Sequence, residues 1–141
     1  MQQLTLDQAN RILAGAIAKA REAGYKPMGI AVLDDGGNLK AFAREDGASM
    51  FRFDIARAKA WGSVGMGTSS RKLLERTQTA AVFMTSLAAI AEGRFAAQTG
   101  AVLIQDAQGN VLGAVGASGG TGDEDEAICI AGVQAAGLMH G

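Results

Sequence analysis

The chain has 141 residues, which suits one domain large enough to bury a hydrophobic core without disulfides or structural metals. Its 13 basic and 14 acidic residues give a net charge of -1, so the composition argues against nucleic acid as a partner. A single cysteine, Cys129, excludes an internal disulfide framework, and no apolar run is long enough for a membrane span. We therefore expect a cytoplasmic protein with one domain over residues 1–141.

The first predicted element is an amphipathic helix over residues 6–23. Thr5 and Gln8 match a capping box, and apolar residues recur at helical spacing after them. Gly24 suits the left-handed end of a helix, and Pro27 prevents its continuation. Because alanine and glycine dominate and aromatic residues make up only 5%, we expect the core to depend on close backbone approach.

Two β-hairpins are predicted, one over residues 28–44 and one within "GAVLIQDAQGNVLGAVGAS". In each, apolar residues alternate on both sides of a cluster of turn-forming residues. Asp106, Gly109 and Asn110 repeat the spacing of Asp34, Gly37 and Asn38, either by duplication or because the two turns need the same chemistry. The two hairpins together predict one antiparallel sheet.

Between the hairpins, the segments "FRFDIARAKAWGSVGMG", "TSSRKLLERTQ" and "TAAVFMTSLAAIAEG" predict two or three helices. The sequence also predicts a short extra strand at residues 94–96, within the segment 93–100. The last helix follows "SGGTGDEDEAICIAG", where Thr121 and Glu124 form a second capping box. The predicted fold class is α+β, an antiparallel sheet of about five strands covered by helices.

Three stretches carry a resemblance to a known family: "AVLDDGGNLKAFAREDGA", "IARAKAWGSV" and "GASGGTGDEDEAICIAG". Over nearly its whole length the chain resembles the GlcG/HbpS-type proteins, small haem-associated domains that are similar to the C-terminal domain of PduO. The resemblance implies a profilin-like sandwich of helices on an antiparallel sheet. It also implies that the ligand is haem or another tetrapyrrole and that the partner is a second copy of the chain, in a homo-oligomer.

The acids at the start of the last helix are the first candidates for chemistry. Four acidic residues within one turn repel one another, so we expect a nearby cation from Arg44, Lys59, Arg71 or a metal ion. The family pattern picks out Asp125 and Glu126 among the acids, and it associates Lys59 and Arg71 with a ligand-facing pocket. The structural alternative is a capped and solvated helix start, with Lys59 extending to solvent.

These residues define the predicted site. General acid-base chemistry on a small carboxylate needs a base and an acid in one cleft, together with a cation that holds the substrate. The predicted catalytic residues are Lys59, Asp125 and Glu126. The predicted ligand-binding residues are Arg44, Arg71, Gly119, Gly120 and Thr121. The glycines are not a nucleotide loop, because acids follow them where a P-loop has lysine and a hydroxyl.

The cofactor stays open at this point, because haem is implied by the resemblance alone. Haem iron is usually held by His, Cys, Met or Tyr, and the chain offers His140, Cys129, Tyr25 and six methionines without an axial-ligand pattern. His140 lies where chain ends commonly fray, and Cys129 is typical of a buried apolar position. No zinc site is predicted, whereas the acids leave an oxygen-ligated Mg²⁺ or Ca²⁺ as an alternative.

Three functions follow from these observations. The first is an accessory protein of a catabolic or cofactor-handling pathway that binds a small ligand, with haem or another tetrapyrrole the ligand that the resemblance implies. The second is a lyase, hydratase or isomerase that uses Lys59, Asp125 and Glu126. The third is a purely structural assembly module. The acidic start of the last helix must face the basic groups of the central segment for the enzyme to work.

Overall fold

The computed structural model describes residues 3–141, which form an α+β domain with five strands and five helices. The fold class predicted from the sequence is confirmed. In chain order the elements are α1 (Leu6–Ala23), β1 (Gly29–Asp34), β2 (Leu39–Arg44), α2 (Phe51–Met66), α3 (Ser70–Arg76), α4 (Ala81–Ile90), β3 (Ala101–Gln105), β4 (Val111–Ser118), α5 (Gly122–Ala135) and β5 (Met139–His140).

The two predicted hairpins form and join into one antiparallel sheet with the strand order β2-β1-β4-β3-β5. Their turns have the same side-chain chemistry. Asp34 accepts hydrogen bonds from the backbone N–H groups of Gly36 and Asn38 at 3.0 and 2.9 Å. Asp106 accepts equivalent bonds two and four residues further along, both at 2.9 Å. An aspartate that bonds its own turn in this way sets the register of each hairpin.

The helices cover both faces of the sheet, so the domain has three layers. Helices α1 and α5 pack together on one face, over a core that includes Ile30, Val115 and Ile128. Helix α2 covers the other face, where Leu33 and Leu103 are buried with Trp61 packed beside them. Any residue on α2 is therefore separated from α5 by the sheet, except at the ends of the strands.

Close backbone approach is confirmed at the contact between α1 and α5. A Cβ atom added to Gly132 would lie 2.4 Å from the carbonyl oxygen of Ile12. A Cβ atom added to Gly15 would lie 2.6 Å from the Cβ of Ala135. The helices approach to this distance only because glycine has no side chain, which explains part of the high glycine content.

The fifth strand differs from the prediction. Residues 93–100 form turns and loop in the described chain, so the expected extra strand through residues 94–96 is wrong. The fifth strand is instead β5, at the edge of the sheet next to β3, where Met139 and His140 pair with Gln105 and Ile104. The chain end, which we expected to fray, is thus hydrogen-bonded to the sheet. Over residues 3–141, no helix combines the length and the hydrophobicity that crossing a membrane requires.

Candidate functional site

Lys59 and Asp125 meet at the end of the sheet where β4 ends and β3 begins. The Nζ atom of Lys59, on α2, lies 3.1 Å from Oδ2 of Asp125 in the first turn of α5. Lys59 also donates a hydrogen bond to the carbonyl oxygen of Ala117 at 3.0 Å. Asp125 accepts a second bond from the backbone N–H of Gly120 at 2.9 Å. The ion pair therefore connects the two helix layers around the end of the sheet.

The pair is almost completely buried. The exposed fraction is 5% for Lys59 and 2% for Asp125. Burial raises the pKa of Asp125 above its ordinary value, and the Lys59 charge and the Gly120 hydrogen bond only partly oppose this effect. A Cβ atom added to Gly100 would lie 2.7 Å from Lys59 Nζ and 3.0 Å from the Asp125 Cβ. The two groups thus touch directly and are closed in by backbone, with no room for a ligand between them.

Arg71 forms a second contact between the central segment and α5. Its Nε atom donates to both carboxylate oxygens of Glu126, at 3.2 and 3.1 Å, and its Nη2 atom donates to Asp123. Hydrogen bonds that Arg71 donates to the carboxylates of Glu126 and Asp123 raise its pKa above the ordinary value, so the guanidinium keeps its charge. Arg71 is about half exposed, and solvent screening weakens such a pair.

The glycine loop before α5 is packed against the protein. A Cβ atom added to Gly119 would lie 2.3 Å from the carbonyl oxygen of Pro27. Gly120 uses its N–H group to bond Asp125, and Thr121 caps α5 in a capping box with Glu124. The predicted ligand-binding residues of this loop therefore make contacts that start the helix and hold the buried carboxylate.

Arg44 lies at the same end of the sheet as the glycine loop. The register places Arg44, Gly29 and Ser118 in one row across β2, β1 and β4. Arg44 donates to the carbonyl oxygen of Ala48 and does not pair with the acids of α5. The cation beside Ser118 is Arg52, which donates to the serine hydroxyl at 3.0 Å. Arg52 was not predicted, because only the packing of α2 over β1 brings it there.

The other residues that could ligate iron or a metal are separated. Cys129 is fully buried with its Sγ atom 3.5 Å from the carbonyl oxygen of Gly100, and burial raises the pKa of its thiol. His140 is exposed on β5. Within residues 3–141, no group of three or more His, Cys, Asp or Glu side chains is arranged to hold a metal. The four acids of α5 are taken up by protein partners: Asp125 pairs with Lys59, Glu124 is in the capping box, and Asp123 and Glu126 both bind Arg71.

An apolar cleft of about 200 Å³ lies between α2, α4 and the loop after α4. Phe95 packs against the bare backbone of Gly62, where an added Cβ would lie 2.7 Å from the ring. The Arg94 guanidinium lies 4.6 Å from the centre of the Trp61 ring. The residues that line the cleft are Trp61, Gly62, Gly65, Met66, Leu87, Ile90, Ala91 and Phe95. This cleft was missed because its residues come from segments that have no shared sequence pattern.

Comparisons with known proteins support the fold described above. A family model described as "Haem degrading protein HbpS-like" matches residues 4–134. The protein ORFY of Klebsiella pneumoniae is 26% identical, with a TM-score of 0.87 over 97% of this chain and 92% of that one. A double mutant of Streptomyces reticuli HbpS is 27% identical, with a TM-score of 0.83 over 95% of this chain and 87% of that one.

A third solved structure, a complex of PduOC with haem, is 22% identical and has a TM-score of 0.86 over 97% of both chains. At 22% identity, this similarity shows that the two proteins share a fold. The search of curated proteins found no match. The match to the family model spans α1 to β4 and all of α5 except its last residue.

Proposed function

We propose, from the premise that this chain belongs to the HbpS-like family, that it binds haem or a related tetrapyrrole in the cleft between α2 and α4. The observation that carries the proposal is the wall of this cleft, where Trp61, Met66 and Phe95 surround a concave apolar surface. Apolar and aromatic walls with a few polar groups at the rim are typical of small-molecule sites. Such a protein would serve as an accessory of a catabolic or cofactor-handling pathway.

The residues of the cleft fit a planar tetrapyrrole in three respects. Aromatic rings offer stacking surfaces for the macrocycle. Arg94, held over Trp61 at the rim, is a cation that can pair with a propionate carboxylate. Met66 is the lining residue with a side chain of a type that ligates haem iron. The volume of about 200 Å³ admits one edge of the ring, and a second cleft of about 280 Å³ also has Phe95 in its wall.

The chain offers a variant that tests this site with little risk to the fold. Gly65 lines the cleft, lies inside α2, and has no atom within 4 Å of an added Cβ. Leucine at this position would fill the cleft, and it would favour the helix by up to about 1 kcal/mol relative to glycine. Asp54→Leu is the matched control, because Asp54 is exposed in the first turn of the same helix.

The test is a titration of the purified protein with hemin, followed by the Soret band. Wild type and Asp54→Leu are expected to show saturable binding, and Gly65→Leu to lose it while its thermal transition is kept or raised. Met66→Leu is expected to bind hemin, but the visible absorption bands of the bound hemin are expected to change. Equal binding by Gly65→Leu and wild type would rule out this cleft, and no Soret shift in wild type at micromolar concentrations would rule out tetrapyrrole binding.

A second function, acid-base chemistry on a small carboxylate, is favoured by one observation. The structure holds Lys59 beside Asp125, whose pKa burial raises, and a buried acid with a raised pKa is a common feature of catalytic sites. Because both groups are enclosed, a substrate would reach them only if the glycine loop opened. In that event Arg71 would bind the substrate carboxylate in place of Glu126.

This function predicts exchange of a proton next to a carbonyl group. Pyruvate in D₂O with catalytic amounts of wild-type protein would lose its methyl proton signal faster than pyruvate alone. Lys59→Met is expected to abolish the acceleration, and Glu126→Gln to reduce it. Wild type that leaves the exchange rate of pyruvate and of other small 2-oxo acids unchanged would remove proton abstraction from the proposed functions.

A further inference from the structure

A concave surface of about 460 Å³ lies between the end of α2, helix α3 and the loop that follows α3. Lys72 and Arg76 are four positions apart on α3, so their side chains are neighbours on the same side of the helix. We propose that this surface, the α3 pocket, binds a carboxylic acid, with the carboxylate between the two cations and the apolar part of the acid against Met66. The residues that line the α3 pocket are Met66, Thr68, Lys72, Glu75, Arg76 and Thr79.

The two cations of the α3 pocket have no anionic partner. Within residues 3–141, none of the ion pairs includes Lys72 or Arg76. Arg71, their neighbour on α3, shows the opposite case, because it binds two carboxylates of α5. Like charges four positions apart on a helix repel each other. A carboxylate between Lys72 and Arg76 would replace this repulsion with two charge-assisted hydrogen bonds, which are stronger than neutral ones.

Two hydroxyl groups add neutral donors to the α3 pocket. Thr68 precedes α3 and Thr79 follows it, so the hydroxyls come from the two ends of the helix. The guanidinium of Arg76 is held beside the pocket by Phe83, whose ring centre lies 6.0 Å away. A carboxylate accepts about four hydrogen bonds. The two cations and the two hydroxyls are therefore enough to satisfy one carboxylate.

Glu75 decides the charge of the ligand. It lines the α3 pocket together with Lys72 and Arg76, so these three side chains have an excess of one positive charge. A carboxylate carries one negative charge and balances this excess. A phosphate monoester carries about 1.5 to 2 negative charges at neutral pH, and the surplus would be repelled by Glu75. The α3 pocket therefore favours a carboxylate over a phosphate.

Met66 favours a ligand with an apolar part. This side chain at the end of α2 lines both the α3 pocket and the apolar cleft between α2 and α4. An alkyl chain attached to the carboxylate would therefore lie on an apolar side chain at the boundary of the two. Its removal from water adds to the affinity in proportion to the area buried. The ligand class is thus a monocarboxylic acid with an apolar chain, and its binding does not depend on the proposed tetrapyrrole.

An NMR titration of the ¹⁵N-labelled protein with sodium octanoate, without hemin, tests the α3 pocket separately from the proposed function. The amide signals of Thr68 and Thr79 are expected to shift and to reach saturation at millimolar octanoate. Octanol has the same chain without the charge and is expected to bind about tenfold more weakly. Octyl phosphate is also expected to bind more weakly than octanoate. Absence of a saturable shift, or binding of octanol or octyl phosphate as tight as that of octanoate, would overturn the proposal.

Two substitutions with opposite expected effects locate the binding. Lys72→Gln removes a cation and is expected to weaken octanoate binding about threefold to fivefold. Glu75→Gln removes the acid and is expected to strengthen it. Lys40→Gln, an exposed lysine on β2, is the matched control and is expected to bind like wild type. All three side chains are exposed, so the thermal transitions are expected to stay unchanged. Equal affinities of Lys72→Gln and Lys40→Gln, or weaker binding by Glu75→Gln, would overturn the proposal.

Discussion

Replacing Lys59 with methionine is expected to destabilise the protein strongly, because it leaves the buried carboxylate of Asp125 without its cation. The 3.1 Å ion pair is lost, and the N–H of Gly120 is the one hydrogen bond that remains to Asp125. Removing one partner of a buried pair typically costs about 3–5 kcal/mol. That is a large part of the roughly 5–15 kcal/mol by which domains are stable.

The converse variant, Asp125→Asn, is expected to cost a similar amount. Asparagine can still accept the bond from Gly120, but the Lys59 ammonium then keeps only the carbonyl oxygen of Ala117. The double variant Lys59→Met, Asp125→Asn leaves no charge unpaired. It is expected to be more stable than the sum of the two single effects predicts, with a coupling of about 0.5–3 kcal/mol.

Urea unfolding at pH 7 measures these three free energies, provided that the slope with denaturant stays constant. Single variants whose effects simply add, or whose effects stay below about 1 kcal/mol, would refute the assignment of a buried ion pair. A pH series adds a further check. Because the pKa of Asp125 is raised, the folded state takes up this proton before the unfolded state does. The difference in the free energy of unfolding between wild type and Asp125→Asn should therefore grow as the pH falls from the raised pKa towards 3.8.

Three further predictions concern the fold. Gly132→Ala should lower the free energy of unfolding by about 1–3 kcal/mol, because its Cβ would press on the Ile12 carbonyl, and an unchanged urea midpoint would contradict the close packing. Thr121→Ala should cost about 1 kcal/mol through loss of the cap of α5, and Thr121→Ser should restore most of it in the same measurement. Hydrogen bonds from Asn110 and the turn lower the pKa of Asp106. Wild type should therefore have a higher free energy of unfolding than Asp106→Asn above pH 3.8, and this difference should disappear as the pH falls through the lowered pKa. A difference in urea midpoint that stays constant with pH would contradict this prediction.

Helices α1 and α5 and the two hairpin turns could be predicted closely from the sequence, because their signals are local. Helix α1 begins after the capping box of Thr5 and ends at Gly24, as expected. Helix α5 begins after Thr121 for the same reason. The hairpin turns at Asp34 and Asp106 form through bonds within five residues. Such interactions depend on neighbours in the chain, which a sequence displays directly.

The candidate sites depend on contacts between distant residues. Lys59 and Asp125 were both singled out from the sequence, but their separation of 66 positions says nothing about whether a cleft or a closed contact joins them. Gly100 and the Ala117 carbonyl decide that question, because their backbone atoms occupy the space around the pair. The cleft at Trp61 likewise arises only when α2, α4 and the loop after α4 come together. Local capping and turn chemistry are written in short segments, whereas burial and cavity shape are properties of the packed chain.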